Sequence, residues 1–275
     1  MDEDDQRRRG ERFVALHQGP ELFVLPNPWD GGSARMLEHL GYEALGTTSA
    51  GHARSMGRAD GQRTVSRDEA IWHATTIAEA TTLPVSGDFE RGYGDDPVEV
   101  AETVASAIAA GLSGCCIEDA TGEPDNPIYN PRLATDRIEA AAASARATGF
   151  PFVLVARAEN YLHGRRDLDD TIARLQSFES AGADAVYAPG LVDLADIRKV
   201  VASVGVPVNV LIGLPGQEWS LDDLEEAGVR RASVGSGFYR TAMASFQKSA
   251  LSLLSDRRLG PQGPELMDMD ELFSS

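Results

Sequence analysis

The chain has 275 residues, with 25 basic and 43 acidic side chains and a formal net charge of −18 at pH 7. This acidic excess argues against nucleic acid or an anionic membrane surface as the main partner, but not against a small anionic ligand. No apolar run resembles a signal peptide or a membrane-spanning helix. The only two cysteines, Cys115 and Cys116, are adjacent, which favours a reducing cytoplasm.

Short apolar runs alternate with longer amphipathic segments along the chain. The apolar runs predict eight strands, at residues 22–25, 44–48, 85–89, 114–118, 152–157, 185–188, 208–211 and 231–235. The longer segments predict helices at residues 66–81, 97–110, 134–147, 168–180, 193–204, 220–227 and 239–254. Many of them end at a glycine, which suits the residue after a helix.

Strands this short and apolar, separated by helices, indicate parallel pairing with both faces of the sheet covered. Eight β/α units close naturally into a (β/α)8 barrel, and an open doubly wound sheet is the alternative. Because no linker divides the chain, we predict one barrel domain over residues 1–255 and a polar tail over residues 256–275.

Three carboxylates fall where predicted strands end. Alternation places Asp88 and Glu90 on the same side of the third strand, and Glu118 ends the fourth. In parallel barrels the site lies beyond these strand ends, where the acids repel one another unless a cation lies among them. Oxygen ligands suit Mg²⁺ or Mn²⁺. The alternative is that the acids cap the following helices.

Three other predicted strand ends carry groups able to contact a ligand. Arg157 follows the fifth strand, where its planar guanidinium would hold a substrate carboxylate or pair with nearby acids. The second strand runs into Thr48, Ser49 and Ala50, a small-residue turn whose amides can bind an oxyanion. Asn209, on the seventh strand, is equally consistent with a ligand contact or with a satisfied core amide.

Taken together and in order, these residues resemble the isocitrate lyase/phosphoenolpyruvate mutase superfamily across residues 23–254. The resemblance is carried by Leu25-Pro-Asn-Pro-Trp-Asp-Gly-Gly-Ser-Ala, Gly46-Thr-Thr-Ser-Ala-Gly, Gly87-Asp-Phe-Glu-Arg-Gly-Tyr-Gly, Ile117-Glu-Asp and Val155-Ala-Arg. In the third of these motifs, Glu90 and Arg91 stand where the family usually has Asp and Thr.

The resemblance implies a Mg²⁺-dependent enzyme that makes or breaks a C–C or P–C bond next to the carboxylate of a 2-oxo acid. Asp88 would ligate the metal directly, and Glu90 and Glu118 would do so directly or through water. Arg157 and Glu118 would be catalytic, with metal and arginine stabilising an enolate oxyanion. The substrate would contact Thr48, Ser49, Ala50, Asp88, Arg157 and Asn209.

The segment after Glu118 departs from the family pattern. Lyases of the family carry Lys-Lys-Cys-Gly-His there, with the cysteine as acid/base, whereas this chain reads Asp119-Ala-Thr-Gly-Glu-Pro-Asp-Asn-Pro-Ile-Tyr-Asn. The mutases' Pro-Lys is also absent. The resemblance is therefore to a phosphoenolpyruvate mutase-like branch without the lyase motif. We expect residues 119–131 to act as a lid, with Asp125, Asn126 and Tyr129 as its candidates for substrate contact.

The leading hypothesis is a Mg²⁺-dependent lyase that cleaves a C–C bond of a small 2-oxo or 2-hydroxy dicarboxylic acid through a pyruvate-type enolate. The alternatives are a P–C bond hydrolase or mutase acting on a phosphonopyruvate-like acid, and a 2-oxo acid binding protein without efficient turnover. The resemblance also suggests a homo-oligomer, a dimer or tetramer, with the last helix exchanged between subunits. The apolar positions of that helix suit packing on its own barrel equally well.

Overall fold

The computed structural model describes residues 2–259 and 267–273, in which short parallel strands alternate with helices. The strands are β1 (Phe23–Leu25), β2 (Leu45–Gly46), β3 (Val85–Asp88), β4 (Gly114–Glu118), β5 (Val153–Arg157), β6 (Ala185–Tyr187), β7 (Val208–Leu211) and β8 (Arg231–Ser233). The helices are α1 (Glu3–Gln18), α2 (Gly31–His39), α3 (Ser49–Ser55), α4 (Arg67–Glu79), α5 (Pro97–Ala109), α6 (Pro131–Ala147), α7 (Leu168–Ser180), α8 (Leu194–Ser203), α9 (Leu221–Glu226), α10 (Gly237–Asp256) and α11 (Met269–Phe273).

The eight strands form one sheet in the order β1-β8-β7-β6-β5-β4-β3-β2, which follows chain order around a ring. The ends of this sheet meet where the Gly46 N–H donates a hydrogen bond to the Pro26 carbonyl at 2.9 Å. A Cβ on Gly46 would lie 2.8 Å from the end of the Leu25 side chain, so a larger residue here would require that side chain to move. The sheet is a nearly closed barrel. The predicted (β/α)8 fold is confirmed, and the open doubly wound alternative is wrong.

Apolar side chains pack on both faces of the sheet, as parallel strands require. The inner layer includes Leu25, Cys116, Val155 and Tyr187, and a larger layer lies between the strands and the surrounding helices. Cys115 belongs to that outer layer, so the adjacent cysteines point to opposite faces of β4; both are free and buried. Because side chains fill the interior of the barrel, a ligand of the barrel would bind at the ends of the strands.

Helix α1 covers the N-terminal end of the barrel, opposite the strand ends that carry the polar residues. Phe13 is fully buried within the inner layer. Gly10 approaches the loop before β5 so closely that a Cβ there would lie 2.2 Å from the Pro151 carbonyl oxygen. The sequence did not predict this helix, because its charged residues leave only a short apolar face at Phe13, Val14 and Leu16.

Helix α10 begins on the barrel with the buried Tyr239 and then leaves most of its apolar side chains exposed, among them Phe246 and Leu254. In the predicted tail, residues 260–266, 274 and 275 lie outside the described residues, whereas α11 packs on α2 of the same chain. Across the two described ranges, no helix combines the length and apolar character needed to cross a bilayer. The domain boundary at residue 255 and the exchange of the last helix stay predictions.

Candidate active site

The C-terminal ends of three adjacent strands bring the candidate residues to one rim of the barrel. β3 ends at Asp88, β4 at Glu118 and β5 at Arg157. The register pairs Glu118 with Arg157 and places Asp88 beside Cys116, two residues before Glu118. The three side chains therefore meet because parallel strands end on the same side of the sheet.

Arg157 is the cation at the centre of this rim. Its guanidinium contacts Glu118 Oε2, lies 3.4 Å from Asp88 Oδ1 and lies 2.5 Å from Glu159 Oε1. The contact with Glu159 is an ion pair without hydrogen-bond alignment. Burial lowers the pKa of Arg157, but Glu118, Glu159 and Asp88 raise it more, so the net shift is well above the usual range. The guanidinium stays charged at any working pH.

The turn between β2 and α3 faces Asp88. The Ser49 N–H and hydroxyl both donate to Asp88 Oδ2, at 2.9 and 2.7 Å, and the Asp88 N–H donates to the Thr47 hydroxyl at 2.8 Å. Thr48 caps α3 through its hydroxyl, and Ala50 lies half-buried in the first turn of that helix. The Ser49 amide, one of the expected oxyanion-binding groups of this turn, thus donates to the Asp88 carboxylate.

Glu90 lies beyond the end of β3, so strand alternation does not extend to it. Its backbone is left-handed, with φ 46°. The side chain is nevertheless buried at the same rim, where burial and then Asp88 raise its pKa to about 7. Burial also raises the pKa of Glu118 well above its usual range, in spite of Arg157. These carboxylates are short of positive charge.

A cavity of about 290 Å³, the rim cavity, lies over these strand ends. It is lined by Ser49, Asp60, Gly61, Glu90, Arg91, Glu118, Ala120, Gly122, Arg157, Glu159, Leu162 and His163. Sequence reasoning did not assign Asp60 or Glu159 to the site. Asp60 comes from the α3–α4 loop, far from any strand end, and burial followed by Asp88 raises its pKa. Glu159 lies two residues after Arg157, a spacing that could have identified it.

The donor set of the rim fits a hard divalent cation. Four carboxylates line the rim cavity against two arginines. Burial raises the pKa of Glu159 to about 7, although its Oε1 lies 2.5 Å from Arg157 Nε. Within the described ranges, no three His, Cys, Asp or Glu side chains are already arranged as the ligands of one metal ion. Arg157 lies among the carboxylates, and a bound cation would add the charge they lack.

The segment after β4, expected to be a lid, folds back on itself at the edge of the rim cavity. Ala120 and Ile128 form an antiparallel bridge, and the Thr121 N–H donates to the Pro127 carbonyl at 2.8 Å. Arg63, from the α3–α4 loop, donates to the Thr121 carbonyl at 2.8 and 3.0 Å. Asp125 and Asn126 are exposed, and the Tyr129 hydroxyl donates to Asp95. Ala120 and Gly122 are the members of this segment that line the cavity.

Asn209 does not line the rim cavity. Its side chain is 1% exposed, donates to the Ser233 hydroxyl at 2.9 Å and accepts from Arg231 Nε at 3.1 Å. Of the two interpretations that the sequence left open, the structure places Asn209 as a satisfied amide inside the barrel.

Comparison with known sequences gives a family match and several relatives. The phosphoenolpyruvate phosphomutase family matches residues 13–254. An uncharacterised protein of Mycobacterium tuberculosis is 37% identical over 240 residues, covering 85% of this chain and 87% of the relative. The 2-methylisocitrate lyase of Escherichia coli is 31% identical, and the match covers 81% of this chain and 77% of the relative. The oxaloacetate decarboxylase of Bradyrhizobium diazoefficiens is 29% identical, and the match covers 83% of this chain and 79% of the relative.

Solved structures are similar over nearly the whole chain. A Burkholderia cenocepacia protein described as a candidate lyase/mutase superposes with a TM-score of 0.94 at 48% identity, covering 99% of this chain and 98% of the other. An oxaloacetate acetylhydrolase bound to the inhibitor 3,3-difluorooxaloacetate superposes with a TM-score of 0.85 at 25% identity, covering 97% and 92%.

The fold and the rim define an enzyme of the isocitrate lyase/phosphoenolpyruvate mutase superfamily. Within it, the chain belongs to the phosphoenolpyruvate phosphomutase family. The resemblance seen in the sequence is thus confirmed, and the expected enzyme class, a carbon–carbon lyase of this superfamily, agrees with the named relatives.

Proposed function

We propose that the protein is a Mg²⁺-dependent lyase that cleaves a C–C bond of a small 2-oxo or 2-hydroxy dicarboxylic acid. The observation that carries this proposal is that Arg157 and the Ser49 amide contact the two oxygens of one carboxylate, Asp88, while Arg157 also contacts Glu118 and Glu159. Oxyanion-binding donors and candidate metal ligands thus share one buried rim. The names of two relatives, 2-methylisocitrate lyase and oxaloacetate decarboxylase, support C–C cleavage, and the second of these names supports a 2-oxo dicarboxylic substrate.

Asp88, Glu90 and Glu118 are the residues that would hold the metal. Each is an oxygen donor from or beside a strand end, as Mg²⁺ prefers, and Mn²⁺ would suit the same ligands. When bound, the cation would polarise a substrate oxygen and offset the negative charge that develops there. Asp88 now accepts hydrogen bonds from the Ser49 amide and hydroxyl. If Asp88 held the metal instead, these two Ser49 donors would be free to bind the substrate.

The chain's own donors would stabilise the enolate that C–C cleavage leaves behind. Arg157 would bind the carboxylate and oxo oxygens of the substrate, and its high pKa keeps it charged throughout. Glu118 contacts Arg157 and would hold the guanidinium in place. The turn of Thr48, Ser49 and Ala50 would receive the carboxylate through its backbone amides.

Two other activities use the same rim. P–C bond chemistry on a phosphonopyruvate-like acid is supported by the family match, and binding without efficient turnover is supported by the missing lyase motif after Glu118. We further propose that the protein works as a homo-oligomer, because α10 leaves apolar side chains exposed. We propose the cytoplasm as its compartment, because both cysteines are free thiols.

One assay separates these activities. The enzyme with Mg²⁺ is incubated with oxaloacetate, 2-methylisocitrate, 2,3-dimethylmalate or phosphonopyruvate, and pyruvate, phosphate and phosphoenolpyruvate are measured. We expect pyruvate from at least one of the first three compounds, with activity lost in EDTA and restored by Mg²⁺. Formation of phosphate or phosphoenolpyruvate from phosphonopyruvate, with no turnover of the other compounds, would establish P–C chemistry instead. Binding of oxalate without turnover of any compound would establish a binding protein, and turnover that persists in EDTA would exclude the metal.

The Asp88→Asn variant tests the site assignment. Because the amide cannot supply a charged metal ligand, we expect kcat/KM to fall by about 100-fold or more, which corresponds to about 2.7 kcal/mol of transition-state stabilisation. The fold should survive, as judged by circular dichroism. Asp136→Asn, an exposed acid on α6, is the matched control and should leave the kinetics unchanged. Equal activity of the two variants would remove Asp88 from the mechanism.

A further inference from the structure

Arg91 is a buried arginine that lines the rim cavity without a hydrogen-bonding partner for its Nε. It follows Glu90 in the turn after β3 and is 9% exposed. The Nε is buried and donates no hydrogen bond to any described residue. The nearest carboxylate oxygens lie at ion-pair distance only. Asp95 Oδ1 lies 3.8 Å from Nε, and Glu90 Oε2 lies 4.0 Å from a terminal nitrogen of the guanidinium.

A purely structural role does not explain this arrangement. The Asp95 oxygen nearest to Arg91 already accepts from Arg63 at 2.8 Å and from the Tyr129 hydroxyl, and the Asp95 side chain is 54% exposed. Buried arginines that support the fold are bonded differently here. Arg137 donates to the carbonyls of Gly94, Asp95 and Arg91, whereas Arg174 donates to Asp119, Asp170 and the Tyr129 carbonyl. Leaving the buried Nε of Arg91 without a hydrogen bond is costly, and a ligand in the rim cavity would supply the acceptor.

The cavity around Arg91 identifies the chemistry of that partner. Among the residues that line the rim cavity, Arg91 and Arg157 are the arginines, and Arg157 already contacts three carboxylates. Besides its four carboxylates, the cavity lining includes the small or apolar residues Ala120, Gly122 and Leu162. A buried guanidinium binds a ligand carboxylate through two parallel hydrogen bonds, with more energy than it would gain in water.

We propose that Arg91 binds the second acidic group of the substrate and so selects dicarboxylic over monocarboxylic 2-oxo acids. This inference rests on the proposed function, in which the first carboxylate and the oxo oxygen lie at the metal end of the site. It adds a separate role for Arg91, which stands where the resemblance leads one to expect Thr. The residue therefore determines specificity, and the bond-breaking chemistry lies elsewhere.

The test compares a ligand that has an acidic group beyond its oxo carbon with two ligands that lack one. 3,3-Difluorooxaloacetate is a C4 2-oxo dicarboxylic acid, 2-oxobutyrate is a C4 2-oxo acid that ends in a methyl group, and oxalate would fill only the metal end. Binding of each ligand to the full chain with Mg²⁺ is measured by calorimetry. The affinity of the weakly binding 2-oxobutyrate is obtained from its competition with oxalate. Arg91→Gln removes the charge, Arg91→Lys keeps the charge without the planar fork, and Arg132→Gln is an exposed control.

We expect Arg91→Gln to weaken the binding of 3,3-difluorooxaloacetate by about tenfold or more, because the variant loses a charged hydrogen-bonded pair. Oxalate and 2-oxobutyrate should stay within about twofold, and Arg91→Lys should lie between the wild type and Arg91→Gln. Equal weakening of all three ligands, or no weakening of any, would overturn the role of Arg91 while the proposed function stood. A wild-type protein that bound none of them would overturn both.

Discussion

His17 lies at the end of the barrel opposite the rim cavity, buried against Phe13 and Phe23. Its Nδ1–H donates to the Phe13 carbonyl at 2.8 Å, because a carbonyl can only accept. The other ring nitrogen faces Arg231 NH1 at 3.5 Å. Burial, and then the charge of Arg231, lower the pKa of His17 to about 3. The folded protein therefore holds this ring neutral.

That depressed pKa predicts a loss of stability in acid. Between the ordinary histidine pKa of 6.5 and the folded value of about 3, the unfolded chain binds one more proton at His17 than the folded chain does. The stability contributed by the neutral ring is present above pH 6.5 and declines as the pH falls, by up to about 1.4 kcal/mol per pH unit. His17→Gln keeps a donor and an acceptor but does not titrate, so its stability should fall less steeply.

Urea unfolding at several pH values between 7.5 and 5 measures this slope. The exposed His39→Gln is the control, and its slope should match that of the wild type. Indistinguishable slopes for His17→Gln and the wild type would show that His17 has the same pKa in the folded and unfolded states, contrary to this prediction.

At the same scale, the sequence predicted the residues that belong to strand ends. Asp88, Glu118 and Arg157 could be brought together in advance because parallel strands end at one rim. Asp60 could not, because its position depends on the path of the α3–α4 loop and not on a periodic pattern. For Asn209, strand alternation correctly predicted a side chain inside the barrel. Alternation does not give its distance from the rim, so it could not exclude a ligand contact.

Among the helices, α1 shows how packing can reverse a local preference. Alanine is a better helix former than glycine by about 1 kcal/mol, so propensity alone predicts that Gly10→Ala stabilises the protein. The 2.2 Å approach of the new Cβ to the Pro151 carbonyl oxygen forces α1 away from the barrel instead. We expect a net loss of about 1–3 kcal/mol in the free energy of unfolding, the usual cost of overpacking.

Urea or thermal unfolding of Gly10→Ala measures this loss. Glu11→Ala, at the next and exposed position of α1, controls for the change in helix propensity and should stay close to the wild type. Stabilisation by Gly10→Ala would mean that α1 does not pack against the Pro151 loop as described.

Element boundaries show what periodicity misses. The second strand was predicted over residues 44–48 but is paired over Leu45–Gly46, because the chain makes one more hydrogen bond to β3 at Thr47 and then enters α3 at Ser49. Helix α6 begins at Pro131, three residues before the predicted start at 134. Its Asn130 cap and first-position proline are a local signal that the apolar spacing overlooked.

For the whole molecule, the count of β/α units was enough to predict the barrel, but not its assembly. Helix α10 carries exposed apolar side chains at Met243, Phe246, Leu251, Leu253 and Leu254. Because one apolar stripe suits the helix's own barrel or another subunit equally well, the sequence could not distinguish them. The structure leaves this stripe uncovered within the described residues, which supports self-association.

The double variant Phe246→Glu with Leu254→Glu tests this proposal. Placing two charges in an apolar interface is strongly unfavourable, so we expect the variant to be monomeric when light scattering follows gel filtration. Lys248→Glu, on the same helix, changes charge without touching the apolar stripe and should keep the assembly of the wild type. A wild-type protein that was itself monomeric at micromolar concentration would contradict the proposal.

The segment after β4 closes on itself through the Ala120–Ile128 bridge, so its two ends lie side by side at the rim. Residues between those ends can be replaced or lengthened while the strand before and the helix after keep their places. We therefore expect the reaction type to diverge among relatives through changes in this segment, while selection on folding preserves the barrel. The same property makes it the natural unit for grafting the corresponding segment of a lyase relative into this chain.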